Sequence, residues 1–470
     1  MRKIRFGLAV VALVFFGLGC AGFRPPNAAL EQWSPDYGYR ASNLRKNHPT
    51  GRVALLMAFS GGGTRAAALS YGVLQELRDT LVPGTDQRLL DEIDVITSVS
   101  GGSFTSAYFG LFGDRIFQDY EERFLRRDVT SRLWLSLFNP LNWFRMLTSL
   151  SRTELAIEFY DRDVFDSSTF QDLLERPGPF LRINATDVSI TEQFTFEQPF
   201  FDLICSDLGT LHLSRAAATS SAVPVVLSPV TMDNYGGSCG YEYPAWVSDA
   251  RKNRHDSGHS ERALARYREM RTFQDSDKHP YLHLVDGGVA DNLGVRGVLE
   301  ALDEVSFSGG FRRQVDYGGI RRIVLIVVNA ESDGPNDWDQ KESPPGSIKQ
   351  TLQSSGVPIS RYTFETVELM KDMVDKAALQ RDLDIAEARV AGASKKEAEA
   401  RFPEVEMLVF DVSFNAIEDD DERLYFQNLP TSFTLEDEQV DRLRDIASDL
   451  LRHSPTYQDV LDEIGAKLVQ

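Results

Sequence analysis

The sequence predicts an α/β fold, a three-layer α/β/α sandwich around a mainly parallel central sheet. Three observations carry that reading. Two short apolar runs, "RVALLMAF" (52–59) and "IDVITSV" (93–99), have the length and continuity of strands buried on both faces. Each breaks into a turn of small residues, "SGGGTR" (60–65) after the first and "SGG" (100–102) after the second. Each turn leads into a helical pattern, with Ala66, Leu69, Val73, Leu74 and Leu77 in period after the first and "SFTSAYFGLF" after the second.

At the N-terminus, Arg2, Lys3 and Arg5 precede an apolar run from Phe6 to Leu18, too short to span a bilayer, so residues 1–19 read as a signal peptide. The run ends at Gly19-Cys20, which resembles the bacterial lipoprotein cleavage box, although Gly17 and Leu18 depart from it. That resemblance implies lipidation of Cys20 and a lipid-anchored place in the cell envelope, with Ala21 pointing to the outer membrane. Residues 20–50, with Pro25-Pro26, read as a tether between anchor and fold.

The main domain is expected over 51–330, with later strands at 181–187, 194–197, 211–213, 281–285 and 323–329. Two stretches interrupt it. Residues 133–150 are densely aromatic, which suits an apolar tunnel, a bilayer contact or plain core. Residues 231–280 are polar and locally basic, a lid or an irregular insertion. From 331 to 470 a C-terminal extension is expected to pack on the main domain. It holds a last strand at 405–414, a solvated acidic loop at 417–423 and an amphipathic helix capped by Thr434 and Asp437.

Lys and Arg number 50 against 70 Asp and Glu, a formal charge of -20, which repels nucleic acid and anionic lipid heads alike. Neither partner is expected to be captured by bulk charge. Of the three cysteines, Cys205 and Cys239 remain after Cys20. An oxidising compartment would let them pair, but the sequence does not set their distance. No metal or cofactor is expected.

The literal G-x-S-x-G of a serine hydrolase occurs at Gly236-Gly237-Ser238-Cys239-Gly240. Its surroundings argue against it. Asp-Asn-Tyr-Gly precedes it as a turn and Pro244 follows where a helix should start. Ser100 has the required context, a strand, a tight turn and a helix whose first amides are unpaired. Ser98 stands where the first glycine of the pattern belongs, and Ser103 already lies within the helix.

A serine needs a base. His255, His259 and His279 fall in the polar insertion, and His453 sits at a helix end. Asp286 ends a strand and is followed by Gly287-Gly288, so its carboxylate emerges with room around it. As a base it needs partial burial to raise its pKa; as an ordinary turn aspartate it would bond its own backbone. Gly61-Gly62-Gly63 offers backbone N–H groups to an anion. No Lys-Ser/Thr pair follows to make a nucleotide loop, and Ala66 replaces the third glycine of a dinucleotide fingerprint.

Gly61-Gly62-Gly63-Thr64-Arg65, then Ser98-x-Ser100-Gly101-Gly102, then Asp286-Gly287-Gly288, together resemble the patatin-like phospholipase family over about 53–305. The Ala/Ser-rich block 214–229 and the tail "FQNLPTSFTLEDEQVDRLRDIASDLLRHSP" are also similar to family members. The resemblance implies a Ser–Asp dyad acting on membrane lipid or phospholipid acyl esters without a cofactor. It makes Ser100 the nucleophile and Asp286 the base, with Gly61, Gly62, Gly63 and Gly101 around the oxyanion. Arg65 would steady the loop or a lipid phosphate. Two other readings stand beside it: a non-catalytic lipid-binding lipoprotein of the same fold, and a Ser-His-Asp esterase using His453.

Overall fold

The computed structural model describes residues 27–44, 53–82, 87–129, 151–224, 226–252, 261–299, 322–332, 342–343, 346–402, 406–464 and 467–468. The expected signal peptide, Cys20, the aromatic stretch 133–150 and the 253–260 part of the insertion, with His255 and His259, lie outside the described residues.

The strands of the main sheet are β1 (Val53–Phe59), β2 (Ile93–Val99), β3 (Phe180–Asp187), β4 (Glu192–Phe196), β5 (Val230–Asp233), β6 (Tyr281–Asp286), β7 (Arg322–Asn329) and β8 (Glu406–Ser413). Their order is β5-β6-β3-β2-β1-β7-β8, with β4 paired to β3 as well. The run β3-β2-β1-β7-β8 is parallel throughout, and β4, β5 and β6 join antiparallel. Every residue of β7 is buried, as a central parallel strand requires.

The helices used below are α1 (Thr64–Arg78), α2 (Gly101–Phe112), α3 (Leu213–Ser220), α4 (Ser347–Val390) and α5 (Asp437–Arg452). Side-chain alternation divides the sheet's two faces. Leu55, Met57 and Phe59 of β1 with Val324, Ile326 and Val328 of β7 enter the core that holds Leu69 and Val73 of α1, Phe104 of α2 and Leu443 of α5. Ala58, Leu325 and Val327 face the other way, onto Leu293, Val295 and Val367 and Met370 of α4. The layers are helix, sheet and helix. Among the described side chains of α4, burial is confined to Thr363, Thr366, Val367 and Met370, one helical stripe.

Several expectations need correction. Residues 211–213 form no strand. Leu213 opens α3, whose Ala-rich sequence favours helix, and His212 makes only an isolated bridge to Thr169. The insertion contributes β5 and the helices Ala245–Lys252 and Glu261–Gln274. The acidic run at 417–423 is in part a helix start, where Asp419 accepts the Glu422 N–H at 2.8 Å. The cap of α5 is Glu436 paired with Gln439, two residues beyond Thr434.

The tether expected over 20–50 is docked over 27–44. Tyr39 is 1% exposed and its hydroxyl accepts the Leu181 N–H at 2.7 Å. Arg40 and the Trp33 indole both bond the Asp202 carboxylate, at 2.9 and 3.1 Å. The segment looks polar in sequence because Trp33, Tyr37, Tyr39 and Arg40 are spread among small and polar residues.

The extension beyond 330 supplies β8 to the sheet and α5 to the helical layer, where α5 meets α1 backbone to backbone. A methyl group on Gly72 would stand 2.4 Å from the Arg444 carbonyl oxygen. Gly72→Ala is therefore expected to destabilise the protein by about 1–3 kcal/mol through overpacking against rigid backbone. A lowered urea midpoint and faster amide exchange across 437–452 would register it; an unchanged midpoint would contradict this packing.

Candidate active site

The site follows from how two strands share one edge of a third. β2 runs along β3 with Val99 opposite Asn184. β6 runs the other way, with Asp286 opposite Ala185, the very next residue of β3. Because β4 covers the other edge of β3 over 183–187, β2 and β6 occupy the same edge and arrive end to end. Both strands stop at the junction, so the residue after β2 and the last residue of β6 are forced together. The Ser100 hydroxyl donates to Asp286 Oδ2 at 2.9 Å.

Ser100 holds φ 50° and ψ −121°, a left-handed conformation that costs a non-glycine residue about 1–3 kcal/mol. Tight contacts hold it. The Ser100 N–H donates to Ser220 Oγ at 2.9 Å, and Ser220 Oγ donates on to the Asn184 carbonyl at 2.6 Å. A methyl group on Gly102 would stand 2.7 Å from the Phe59 carbonyl oxygen, and one on Gly287 2.4 Å from that of Asn184. Ser98 is fully buried and pairs its hydroxyl with Ser106 at 2.7 Å, so the missing glycine leaves no unsatisfied group. Ser103 lies within α2, 3.0 Å from Ser220 Oγ.

The Asp286 carboxylate is pinned on one side, where Oδ1 accepts the Gly288 N–H at 2.8 Å, leaving Oδ2 for Ser100. Burial pushes its pKa up to about 6, against the opposing pull of the Gly288 and Ser100 hydrogen bonds. The turn role that a DGG aspartate ordinarily plays falls also to Asp291, which accepts the N–H groups of Leu293, Gly294 and Arg296 at 2.7–3.2 Å.

The glycine loop lies against the elbow. A methyl group on Gly101 would stand 1.9 Å from the Gly63 carbonyl oxygen, so only glycine permits this approach. Gly62 and Gly63 have φ of 144° and 62°. Among the described residues no acceptor meets the N–H of Gly62, Gly63 or Gly101. Gly61 is corrected out of that set, because its N–H donates to the Asn292 carbonyl at 2.9 Å.

Arg65 is not available to a lipid phosphate. It is 2% exposed, with Nε on the Ala330 carbonyl at 2.9 Å, Nη1 on the Leu429 carbonyl and Nη2 on Thr431 Oγ1 at 3.2 Å. Burial pulls its pKa down to about 10, partly offset by Glu331.

Ser238 lies in a loop of another kind. Its hydroxyl donates to the Tyr235 carbonyl at 2.6 Å, and Gly237 and Gly240 take φ of 83° and 74°. Its neighbour Cys239 is disulfide-bonded to Cys205, with the Cα atoms 5.5 Å apart. The docked N-terminal segment rests on this bridge, Leu30 N–H on the Cys205 carbonyl at 2.8 Å and Trp33 N–H on that of Cys239 at 2.9 Å. His453 closes α5, its Nδ1 2.8 Å from the Asp449 carbonyl oxygen one turn back.

The sequence reading missed Ser220, Asn292 and the 429–432 segment. Ser220 and 429–432 lie in blocks that stand out in the sequence only by family likeness; none of the three carries a spacing that gives its partner away.

The patatin-like phospholipase family model matches residues 57–299, more than half of the chain. Among solved structures, human GIVD cytosolic phospholipase A2 aligns at 12% identity and TM-score 0.45, over 90% of this chain and 64% of that one. The same enzyme in complex with methyl gamma-linolenyl fluorophosphonate aligns at TM-score 0.41, over 61% of its length. VipD from Legionella pneumophila aligns at 10% identity and TM-score 0.28, over 94% of this chain and 72% of that one. The chain thus spans less than two thirds of the cytosolic phospholipase chains. No curated protein matches the sequence. On the family match, covering the glycine loop, the serine elbow and the DGG turn, the chain belongs to the patatin-like phospholipase family.

Proposed function

We propose that this protein is a lipid acyl hydrolase, of phospholipase A or lysophospholipase type, working through a Ser100–Asp286 dyad. Family membership supports lipid ester hydrolysis as the reaction class. The single observation that carries the mechanism is the 2.9 Å bond from the Ser100 hydroxyl to a buried carboxylate whose other oxygen is already pinned. Asp286 takes the hydroxyl proton as Oγ attacks the ester carbonyl carbon. The amides of Gly62, Gly63 and Gly101, which meet no acceptor among the described residues, are assigned to the oxygen that gains charge, where preorganised donors matter most. The C–O bond then breaks, the alcohol leaves with the proton from Asp286, and the acyl group stays on Ser100. Asp286 next takes a proton from water, which attacks the acyl-enzyme, and a fatty acid departs as Ser100 recovers its proton.

Labelling with a fluorophosphonate probe followed by peptide mapping is expected to find the adduct on Ser100. An adduct on Ser238, or none on active protein, would overturn the assignment. Ser100→Ala and Asp286→Asn are each expected to lower kcat by at least about 10³-fold on acyl esters, whereas His453→Ala leaves it unchanged.

Asp286 also sets the pH behaviour. Its ionised form is the base, so kcat/KM is expected to rise with pH through an inflection near 6. Stability runs the opposite way. A carboxyl whose pKa is raised by folding stabilises the fold only while protonated, an advantage lost as pH climbs from about 4 to about 6. Asp286→Asn is accordingly expected to stabilise the fold more at pH 8 than at pH 4, by up to about 3 kcal/mol. Denaturant midpoints at the two pH values measure the difference, and a gain equal at both would contradict it.

We propose in addition that the chain is exported and anchored through Cys20. The basic and apolar N-terminus and the Cys205–Cys239 bridge, which belongs to oxidising compartments, support this. Metabolic labelling with a clickable fatty acid is expected to mark the wild type and not Cys20→Ala; equal labelling would refute the anchor.

A further inference from the structure

We infer that the 429–432 segment of the C-terminal extension is a positioning element of the oxyanion loop, so that the catalytic unit is completed from outside residues 57–299. This rests on the proposed Ser100–Asp286 hydrolase.

Consecutive glycines are the freest stretch a backbone can contain, so three of them cannot by themselves hold donors in fixed directions. Fixed donors are what oxyanion stabilisation demands. The restraint comes from 429–432. Gly63 forms a parallel bridge with Ser432, and the next amide, that of Thr64, donates to the Ser432 carbonyl at 2.8 Å. The approach is close enough that a methyl group on Gly63 would stand 2.3 Å from that oxygen.

Arg65 fastens the same segment from the other side. Its guanidinium fork spans the Ala330 carbonyl just past β7, the Leu429 carbonyl and the Thr431 hydroxyl. Ser332 adds a second stitch, its hydroxyl lying 3.2 Å from the Leu429 carbonyl oxygen and 2.6 Å from that of Gln427 just before the segment. The glycine loop is thus held between the elbow, through Gly101, and a segment more than a hundred residues beyond the matched region. A segment that merely fixed the extension in place would have no need to bond the amide next to the donor-bearing glycines.

The test uses the full chain and a soluble p-nitrophenyl ester, with amide exchange of the 61–66 peptide read in parallel. Thr431→Val removes one prong; Arg65→Lys keeps the charge but loses the fork. Since loss of one oxyanion donor costs about 10²–10³-fold, misaligned donors are expected to lower kcat about 3–10-fold in Thr431→Val and about 10–100-fold in Arg65→Lys. KM should stay within about twofold and the inflection near pH 6 should stay in place, because the dyad is untouched. Exchange at 61–66 should quicken.

An active wild type with unchanged kcat in both variants would overturn the inference alone. So would a shifted pH inflection, which would place the effect on the dyad. If Arg65→Lys fails to fold, Thr431→Val decides. A wild type with no esterase activity would overturn the hydrolase reading and this inference together.

Discussion

The end-to-end meeting of β2 and β6 on one edge of β3 is the constraint on which the site depends. Strand pairing fixes position to within a residue, since a register slip would carry every side chain to the opposite face. Val99 opposite Asn184 and Asp286 opposite Ala185 therefore bring a hydroxyl and a carboxylate together by backbone hydrogen bonding alone. No side chain has to reach across a gap. This also explains how a short carboxylate reaches the serine hydroxyl at 2.9 Å: the sheet has already closed the distance.

Around that junction two of the tightest spots are main chain against main chain. The Gly63 carbonyl presses on Gly101, and the Asn184 carbonyl on Gly287. Each glycine marks a place where a strand end, a turn and a helix start converge, and together they exclude alternative placements of the elbow. The strain at Ser100 is sustained by the same crowding, with Ser220 accepting the Ser100 amide.

How far the sequence spoke depended on the range of the interaction. The apolar runs of β1, β2 and β7 and the Ser100 elbow are encoded locally, by continuous hydrophobicity ended by small residues, and were readable. So was the failure of the Ser238 pattern, since Asp-Asn-Tyr-Gly and Pro244 spoil its surroundings within a few positions. β5 escaped because a four-residue, half-buried edge strand flanked by Pro229 and a turn has almost no pattern to display. The docking of 27–44 escaped because Tyr39 and Arg40 find partners at Leu181 and Asp202, contacts that no local rule anticipates. Arg65 shows the limit most plainly. Its place in the motif was visible, yet its acceptors at Ala330, Leu429 and Thr431 lie hundreds of residues away.

The docked N-terminal segment has a mechanical meaning. Asn27 pairs with the last residue of β5 through both ends of its amide, donating to the Asp233 carbonyl and accepting the Asp233 N–H, at the far end of β6 from Asp286. Seven peptide links separate Cys20 from Asn27, a leash of at most about 25 Å even when fully drawn out. With the proposed acyl chains in the bilayer, the enzyme would sit within roughly its own radius of the lipid surface. Its substrates would then be drawn from the patch of membrane it is moored to, met by lateral drift in two dimensions and not by capture from bulk water.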